Sequence, residues 1–277
     1  MRPIVLFTTV SRCRSCSVLA TLAVLGASAC AVDPAPTEVT DPIQWFWRNY
    51  STATDAEAAD VLKKLNGQLS AVTADAPMKS TISRLAKADV SALKVQGDPD
   101  PAHAVGLLAV TEFACKLDKL AEVITATDQD KKYPGSYTSY QRKHTTVHAD
   151  WLAKKATLVA WDTDLTADTV GSPSESLSGG ARRVADLGKE KSPFGSFVVS
   201  RTWLKKPATF DDPDNTWPQD WQIEVYYERT PGRMVHLFGA WRQMKVSVLS
   251  TDDDSLQKLM LSNFVKWDAQ TEKLCAQ

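Results

Sequence analysis

Residues Trp221 to Val248 read W-Q-I-E-V-Y-Y-E-R-T-P-G-R-M-V-H-L-F-G-A-W-R-Q-M-K-V-S-V. The period of this stretch is two. Trp221, Ile223, Val225 and Tyr227 fall on one face of a strand, because successive side chains of an extended chain point to opposite sides. Arg229-Thr230-Pro231-Gly232 supplies a turn. On the return strand Met234, His236, Phe238 and Ala240 share a face, and Val235, Leu237 and Trp241 share the other. The segment reads as a β-hairpin, and such alternation belongs to an antiparallel sheet.

Alternation begins directly after Tyr133-Pro134-Gly135. It marks candidate strands at 137–146, 156–168, 178–187 and 195–206, ahead of the hairpin pair 220–229 and 233–248. Past the hairpin, Asp252, Asp253 and Asp254 precede a helix over about 255–274, with Leu256, Met260, Phe264, Trp267 and Leu274 along its apolar side. Acidic residues at a helix N-terminus suit both the cap and the helix dipole.

Upstream the spacing is helical. Thr54-x-x-Glu57 forms a capping box ahead of Ala58, Leu62, Leu65 and Leu69, a stripe that Asn66-Gly67 interrupts. Residues 81–94 fit either a strand at Thr81 to Leu85 or a short helix from Lys87. Asp98-Pro99-Asp100-Pro101 makes a turn and then a helix start, with Asp100 as N-cap and Pro101 at the first position. Val105, Ala109, Phe113, Leu117, Leu120 and Ile124 then read as one helical stripe. The alternative is a strand over Leu107 to Phe113 followed by a helix from Leu117. Residues 45–132 are thus expected to be mainly helical. Residues 133–277 are expected to hold the sheet and the last helix, in one domain with 45–132 or apart from it. The fold class is α+β: N-terminal helices, an antiparallel meander of about six strands, and a long C-terminal helix. The element order over 133–274 resembles the helix-grip fold. That resemblance implies a curved sheet wrapped on the C-terminal helix, with an apolar cavity between them.

At the other end, the first sixteen residues carry Arg2, Arg12 and Arg14 and no acidic residue, and Ser17 to Gly26 is an uncharged apolar run. The run is shorter than the ~20 residues of a membrane span. It has the form of a signal-peptide core, with 1–29 as the removed leader. Ala27, Ser28 and Ala29 precede Cys30. This resembles the lipobox of the bacterial lipoprotein class, with Ala27 where that class usually carries leucine. The resemblance implies a diacylglycerol group on Cys30, anchorage to the cell envelope and, with Ala31 after the anchor, sorting to the outer membrane. Buried acyl chain contributes about 0.8 kcal/mol per CH₂. Residues 30–44, with Pro34, Pro36 and Pro42, read as the lipidated cysteine and a tether to a domain beginning near Trp45. The Cys13-x2-Cys16 pair lies in the leader and is no metal site.

Composition narrows the function classes. The chain has a net charge of −1, and the leader removes only basic residues. A mildly acidic body argues against nucleic acid as a partner. The body keeps two cysteines, Cys115 and Cys275, which an oxidising envelope would pair. Nine tryptophans suit a structured core and a lined cavity.

The candidate sites are few. His144-x3-His148 with Asp150 is the one histidine pair, but its place on a strand argues against a shared helical face for a metal. Asp211-Asp212-Pro213-Asp214-Asn215 is rich in oxygen ligands yet lacks the glycine and glutamate of a calcium loop. Gly179-Gly180-x-Arg182-Arg183 reads as strand sequence and not as an anion cradle at a helix start. His236, among apolar neighbours, reads as a satisfied core histidine ahead of a catalytic one, and is the one weak candidate for a general base. No G-x-S-x-G motif, no S-x-x-K motif accompanied by its partner motifs, and no cofactor motif is present. The expectation is a lipid-anchored envelope lipoprotein with a non-catalytic domain that binds a small apolar ligand or an envelope protein. Trp161, Trp203, Tyr227, Phe238 and Trp241 are the candidate lining. An envelope hydrolase and a structural component of an outer-membrane assembly stand as alternatives.

Overall fold

The computed structural model describes residues 40–169, 171–190 and 192–277. The leader, Cys30 and most of the expected tether lie outside the described residues. The expectation for residues 40–44 is corrected: α1 (Thr40–Asn49) begins there, and Ile43 and Gln44 are already buried. An apolar cluster from Ile43 to Trp47 leaves no room for a solvated tether at this point.

After α1 come α2 (Asp55–Gln68), β1 (Met78–Ile82), a short α3 (Lys87–Val90), β2 (Val105–Ala114), α4 (Leu117–Thr125) and α5 (Gln129–Lys132). The second half holds β3 (Tyr137–His144), α6 (His148–Leu152), β4 (Leu158–Ala167), β5 (Ser174–Val184), β6 (Phe197–Leu204), β7 (Thr216–Thr230), β8 (Arg233–Val246), β9 (Leu249–Ser250) and α7 (Asp254–Cys275). Every strand pair is antiparallel, in the order β1-β2-β8-β7-β6-β5-β4-β3, with β9 paired to β8. The chain is α+β, with helices ahead of the meander and one long helix after it. No helix among the described residues is long and apolar enough to cross a membrane.

The capping box forms as the sequence expects: Thr54 accepts from Glu57 N, and the Glu57 carboxylate takes the Thr54 N–H at 2.8 Å. Asp100 caps a single 3₁₀ turn, Pro101–His103, and no further. The expected helix over 105–124 is corrected to β2 followed by α4. Val105, Ala109 and Phe113 lie four apart, a spacing that also keeps every residue on one face of a strand. Leu108 and Val110 on the other face are buried too, so β2 is apolar on both sides, as central strands are. It pairs with β1 and β8. Residues 45–132 therefore contribute two strands to the common sheet, which has nine strands in the described residues and not about six.

The sheet has two covered faces. One carries Trp221, Ile223, Val225, Tyr227, Val235, Leu237 and Trp241 and packs against α1 and α2, through Ile43, Trp47, Leu62 and Leu65. The other is crossed by α4, α6 and α7. There Phe113, Leu117, Leu120, Trp151, Val198 and Met234 form a second core. Cys115, just past β2, is bonded to Cys275 in the last turn of α7, with Cα atoms 5.3 Å apart. Glu228 at the end of β7 accepts from Leu117 N at 2.9 Å and from Gly232 N at 3.0 Å, setting the start of α4 against the hairpin turn.

Candidate functional site

The strands alternate strictly, so the hairpin's second face carries Asp220, Gln222, Glu224 and Tyr226 opposite Arg242, Ala240, Phe238 and His236. A polar strand face ordinarily meets water. Here α7 lies across it, and a cavity of about 390 Å³ remains between the helix and strands β3 to β8. That size suits a small molecule. Tyr137, Tyr140, Trp161, Phe238, Phe264 and Trp267 give the walls their apolar area, while Arg142, Glu175, Gln222, Glu224, His236 and Arg242 bring polar groups to the same space. The apolar cavity implied by the helix-grip resemblance is corrected to an amphipathic one.

His236 forms the back wall. Its Nδ1 lies 2.9 Å from Asp268 Oδ1 on α7 and its Nε2 lies 3.1 Å from Glu224 Oε2 on β7. Burial alone would lower the ring's pKa, but the charge and hydrogen bond of Asp268, with Glu224, outweigh it and lift it to about 9. The ring is an imidazolium at neutral pH. Burial pushes Glu224 up, yet its bonds to His236 and Tyr226 bring it below the usual carboxylate range. Thr111 donates to Asp268 and Tyr226 donates to Glu224. Tyr226 also stacks on His236 with ring centres 4.0 Å apart. The minor candidacy of His236 as a general base finds no support: both nitrogens carry protons held by carboxylates, so the ring has no lone pair to offer.

Two further charged groups differ in how they are satisfied. Arg242 holds Asp220 at 2.6 Å and 2.9 Å, and Gln222 donates to the same oxygen. Glu175, buried on β5, makes no side-chain hydrogen bond among the described residues. Burial pushes its pKa up to about 8, against the pull of Arg242 and with a further push from Asp220. It is an uncharged acid at neutral pH, facing the cavity. Arg142 on β3 donates from Nη1 to Ile124 O at 2.7 Å and from Nε to Thr163 Oγ1 at 3.4 Å, and its guanidinium lies 4.6 Å from the Trp161 ring centre.

Of the expected lining residues, Trp161 and Phe238 face this cavity. Trp203, Tyr227 and Trp241 do not. They lie on the other face, packed with α1 and α2, because their positions are odd where Phe238 and the polar row are even. His144 and His148 are brought together across the β3–α6 turn, their rings stacked 4.0 Å apart. Nε2 of His144 donates to Thr125 O at 3.0 Å, and Nε2 of His148 bonds Thr125 Oγ1 at 2.8 Å. Burial and the neighbouring His148 lower the pKa of His144 to about 4. The pair thus finishes the C-terminus of α4 as neutral rings. Asp150 makes no hydrogen bond to either. No cluster of three potential metal ligands occurs among the described residues. Arg182 and Arg183 of the glycine-rich stretch lie within β5 and pair with Asp55 and Asp118, and Asn215 fixes the 247 turn by accepting from Ser247 N.

Sequence reasoning missed Arg142, Glu175, Glu224 and Arg242, which line the cavity, and Asp268, which stands behind His236. One signal was present. Asp268 lies four residues after Phe264 and one after Trp267, inside the apolar stripe of the last helix, where a lone carboxylate calls for a buried partner.

No family model and no curated protein matches the chain. Among solved structures the chain is similar to a START superfamily protein from Mycobacterium smegmatis, at 10% identity over 62% of this chain and 97% of that one, with a TM-score of 0.38. It is similar also to the lipid transfer and protein localization domain of human StarD13, at 8% identity over 62% and 78%, with a TM-score of 0.39. Human STARD10 gives 9% identity over 62% and 63%, again with a TM-score of 0.39.

Proposed function

We propose that the folded unit is a non-catalytic binding domain that holds one small amphiphilic molecule between α7 and the sheet, and that a lipid on Cys30 tethers it to the cell envelope. The observation that carries the binding reading is the cavity itself: about 390 Å³ of space under a helix, walled by aromatic rings and by buried and half-buried polar groups. Natural cores are packed to near crystal density. A void of this size beside a buried acid without a hydrogen bond makes sense when a ligand fills the one and bonds the other. The hydrolase alternative loses its one candidate base, since His236 is a clamped cation.

Lipidation and outer-membrane placement rest on Ala27-Ser28-Ala29-Cys30 and Ala31. The test of anchorage is membrane fractionation of wild type and Cys30→Ser. Release of the variant into the soluble fraction supports the anchor, and an unchanged membrane fraction overturns it. The test of binding is native mass spectrometry of the full-length protein purified without reducing agent. A non-covalent mass that departs on denaturation supports the reading. A bare chain that also takes up no amphiphile added in solution overturns it.

A further inference from the structure

Among the charged groups around the cavity Arg142 alone touches none of opposite sign, while Glu224 and Asp268, two carboxylates on one imidazolium, leave one negative charge in surplus. Glu224 and Asp268 share His236, and Arg242 holds Asp220. Arg142 makes no ion pair with a carboxylate of the described residues. Its Nε and Nη1 go to Thr163, Ile124 and Ala126, and its Nη2 donates to no described residue. The carboxylate that acts on it from further off is Glu224, which His236 and Tyr226 already engage. A half-buried guanidinium with no carboxylate in contact gives up water without a direct counter-charge, which is costly. Part of that cost is met by the α4 carbonyls and by the Trp161 face. The remaining nitrogen faces a cavity with room for a ligand.

The apolar side of the cavity continues beyond it. Phe238 and Phe264, ring centres 5.3 Å apart, and Met260 also border a second hollow of about 120 Å³, walled by Leu107, Leu108, Ala109 and Leu261. This hollow lies under the first half of α7. The second half of that helix is fixed by Asp268, by Thr271 to Tyr133 at 2.8 Å, by Gln270 to Lys132 O at 2.9 Å and by the disulfide. The first half has Leu256 and the exposed Lys79–Asp254 pair.

Resting on the binding reading above, we propose that the ligand is a singly charged carboxylate amphiphile, with its head on Arg142 and its apolar tail running past Phe238 and Phe264 into the hollow beside Leu107 and Leu261. One guanidinium with one uncommitted nitrogen matches one negative charge. A dianionic phosphate monoester would bring a second charge that no cation of the wall is free to meet.

The test compares three unbranched molecules of ten carbons each with different heads: decanoate, 1-decanol and decylamine, each titrated calorimetrically into full-length protein at neutral pH. Wild type is expected to bind decanoate about tenfold or more tightly over decanol, the scale of a charge-assisted contact, with decylamine weaker still. Arg142→Gln is expected to bind decanoate and decanol alike, with decanol unchanged from wild type. Leu261→Trp, which fills the tail hollow and alters no charge, is expected to weaken both by a similar factor. A wild type that binds decanol or decylamine as tightly as decanoate overturns the head-group assignment while leaving the binding reading intact, and that comparison needs no variant to fold. A Leu261→Trp protein with wild-type affinities overturns the tail placement. Binding of none of the three overturns the carboxylate proposal. The binding reading then falls only if native mass spectrometry also finds no ligand of any other class.

Discussion

Nδ1 of His236 lies 2.9 Å from Oδ1 of Asp268, and this contact joins the middle of the sheet to the helix that closes the cavity. Glu224 holds the other side of the ring, so one imidazolium ties β7, β8 and α7 together. Three charges in so small and dry a space are stable only as a set, because removing one leaves the others buried and uncompensated. The same triad fixes the cavity's back wall and deprives His236 of any role in proton transfer.

The triad makes stability fall on the alkaline side. The folded pKa of His236 is about 9 against a model value of 6.5. Its contribution is fully present below 6.5 and is lost as pH rises through 9. At ~1.36 kcal/mol per pKa unit the loss is of the order of 3 kcal/mol. Urea unfolding at pH 6.5 and pH 9.5 should show it, and His236→Gln should be less stable at pH 6.5 with a flatter pH profile. A wild type equally stable at both values would show that the ring is not held as a cation.

Glu175 acts in the same direction through the opposite state. Its carboxyl stays protonated in the fold up to about 8, against a model value of 4.5, while the unfolded chain releases that proton. Stability therefore drops as pH rises from 4.5 to 8. Glu175→Gln keeps the shape and removes the titration. The variant should match wild type near pH 4.5 and exceed it by about 2 kcal/mol or more near pH 8. A variant less stable than wild type at pH 8 would mean that the carboxylate is ionised and paired.

The sheet was legible in the sequence because its strands keep period two from Tyr137 to Val246. The last helix was legible because three aspartates announce it. Strand β2 was not, since apolar residues four apart satisfy both a helix and a strand, and only its partners β1 and β8 decide the matter. The cavity lining was half legible. The alternation that placed Tyr227 and Trp241 opposite Phe238 was already visible, so no single cavity could hold all three. The polar row Asp220, Gln222, Glu224 looked like a solvated face, because nothing local to β7 says that α7 will cover it. His144 and His148 met for a reason outside strand geometry: a reverse turn after β3 brings the second ring over the first, and Thr125 of another element bonds both.

The Cys115–Cys275 bridge should be the largest single covalent contribution to stability. It spans 160 positions of sequence, and the loop-closure model gives on the order of 5 kcal/mol for such a ring. The Cys115→Ser/Cys275→Ser double variant should lose between about 2 and 5 kcal/mol. Its first lesion should be at the C-terminal end of α7, where Trp267 stacks on Tyr133 at 3.7 Å. Hydrogen exchange should report faster opening of residues 268–275 than of α2. Uniform loosening of both helices would show that the bridge acts on the unfolded chain alone.

Gly239 sits where Ile43 of α1 packs onto the sheet. A Cβ built there would meet Ile43 Cγ2 at 2.4 Å and Ile223 Cγ2 at 3.0 Å, so the glycine is required by approach and not by its backbone angles. Gly239→Ala should cost about 1–3 kcal/mol, the usual penalty for overfilling a packed core. The obstacle is the tip of one side chain, so Ile43→Ala should make room for it. On its own Ile43→Ala opens a cavity and costs about 2–5 kcal/mol. Placed together the two changes should cost less than their sum by 1 kcal/mol or more, a coupling that a double-mutant cycle in urea measures directly. Strict additivity would mean that α1 shifts as a body to admit the new methyl, and that Ile43 does not set the contact.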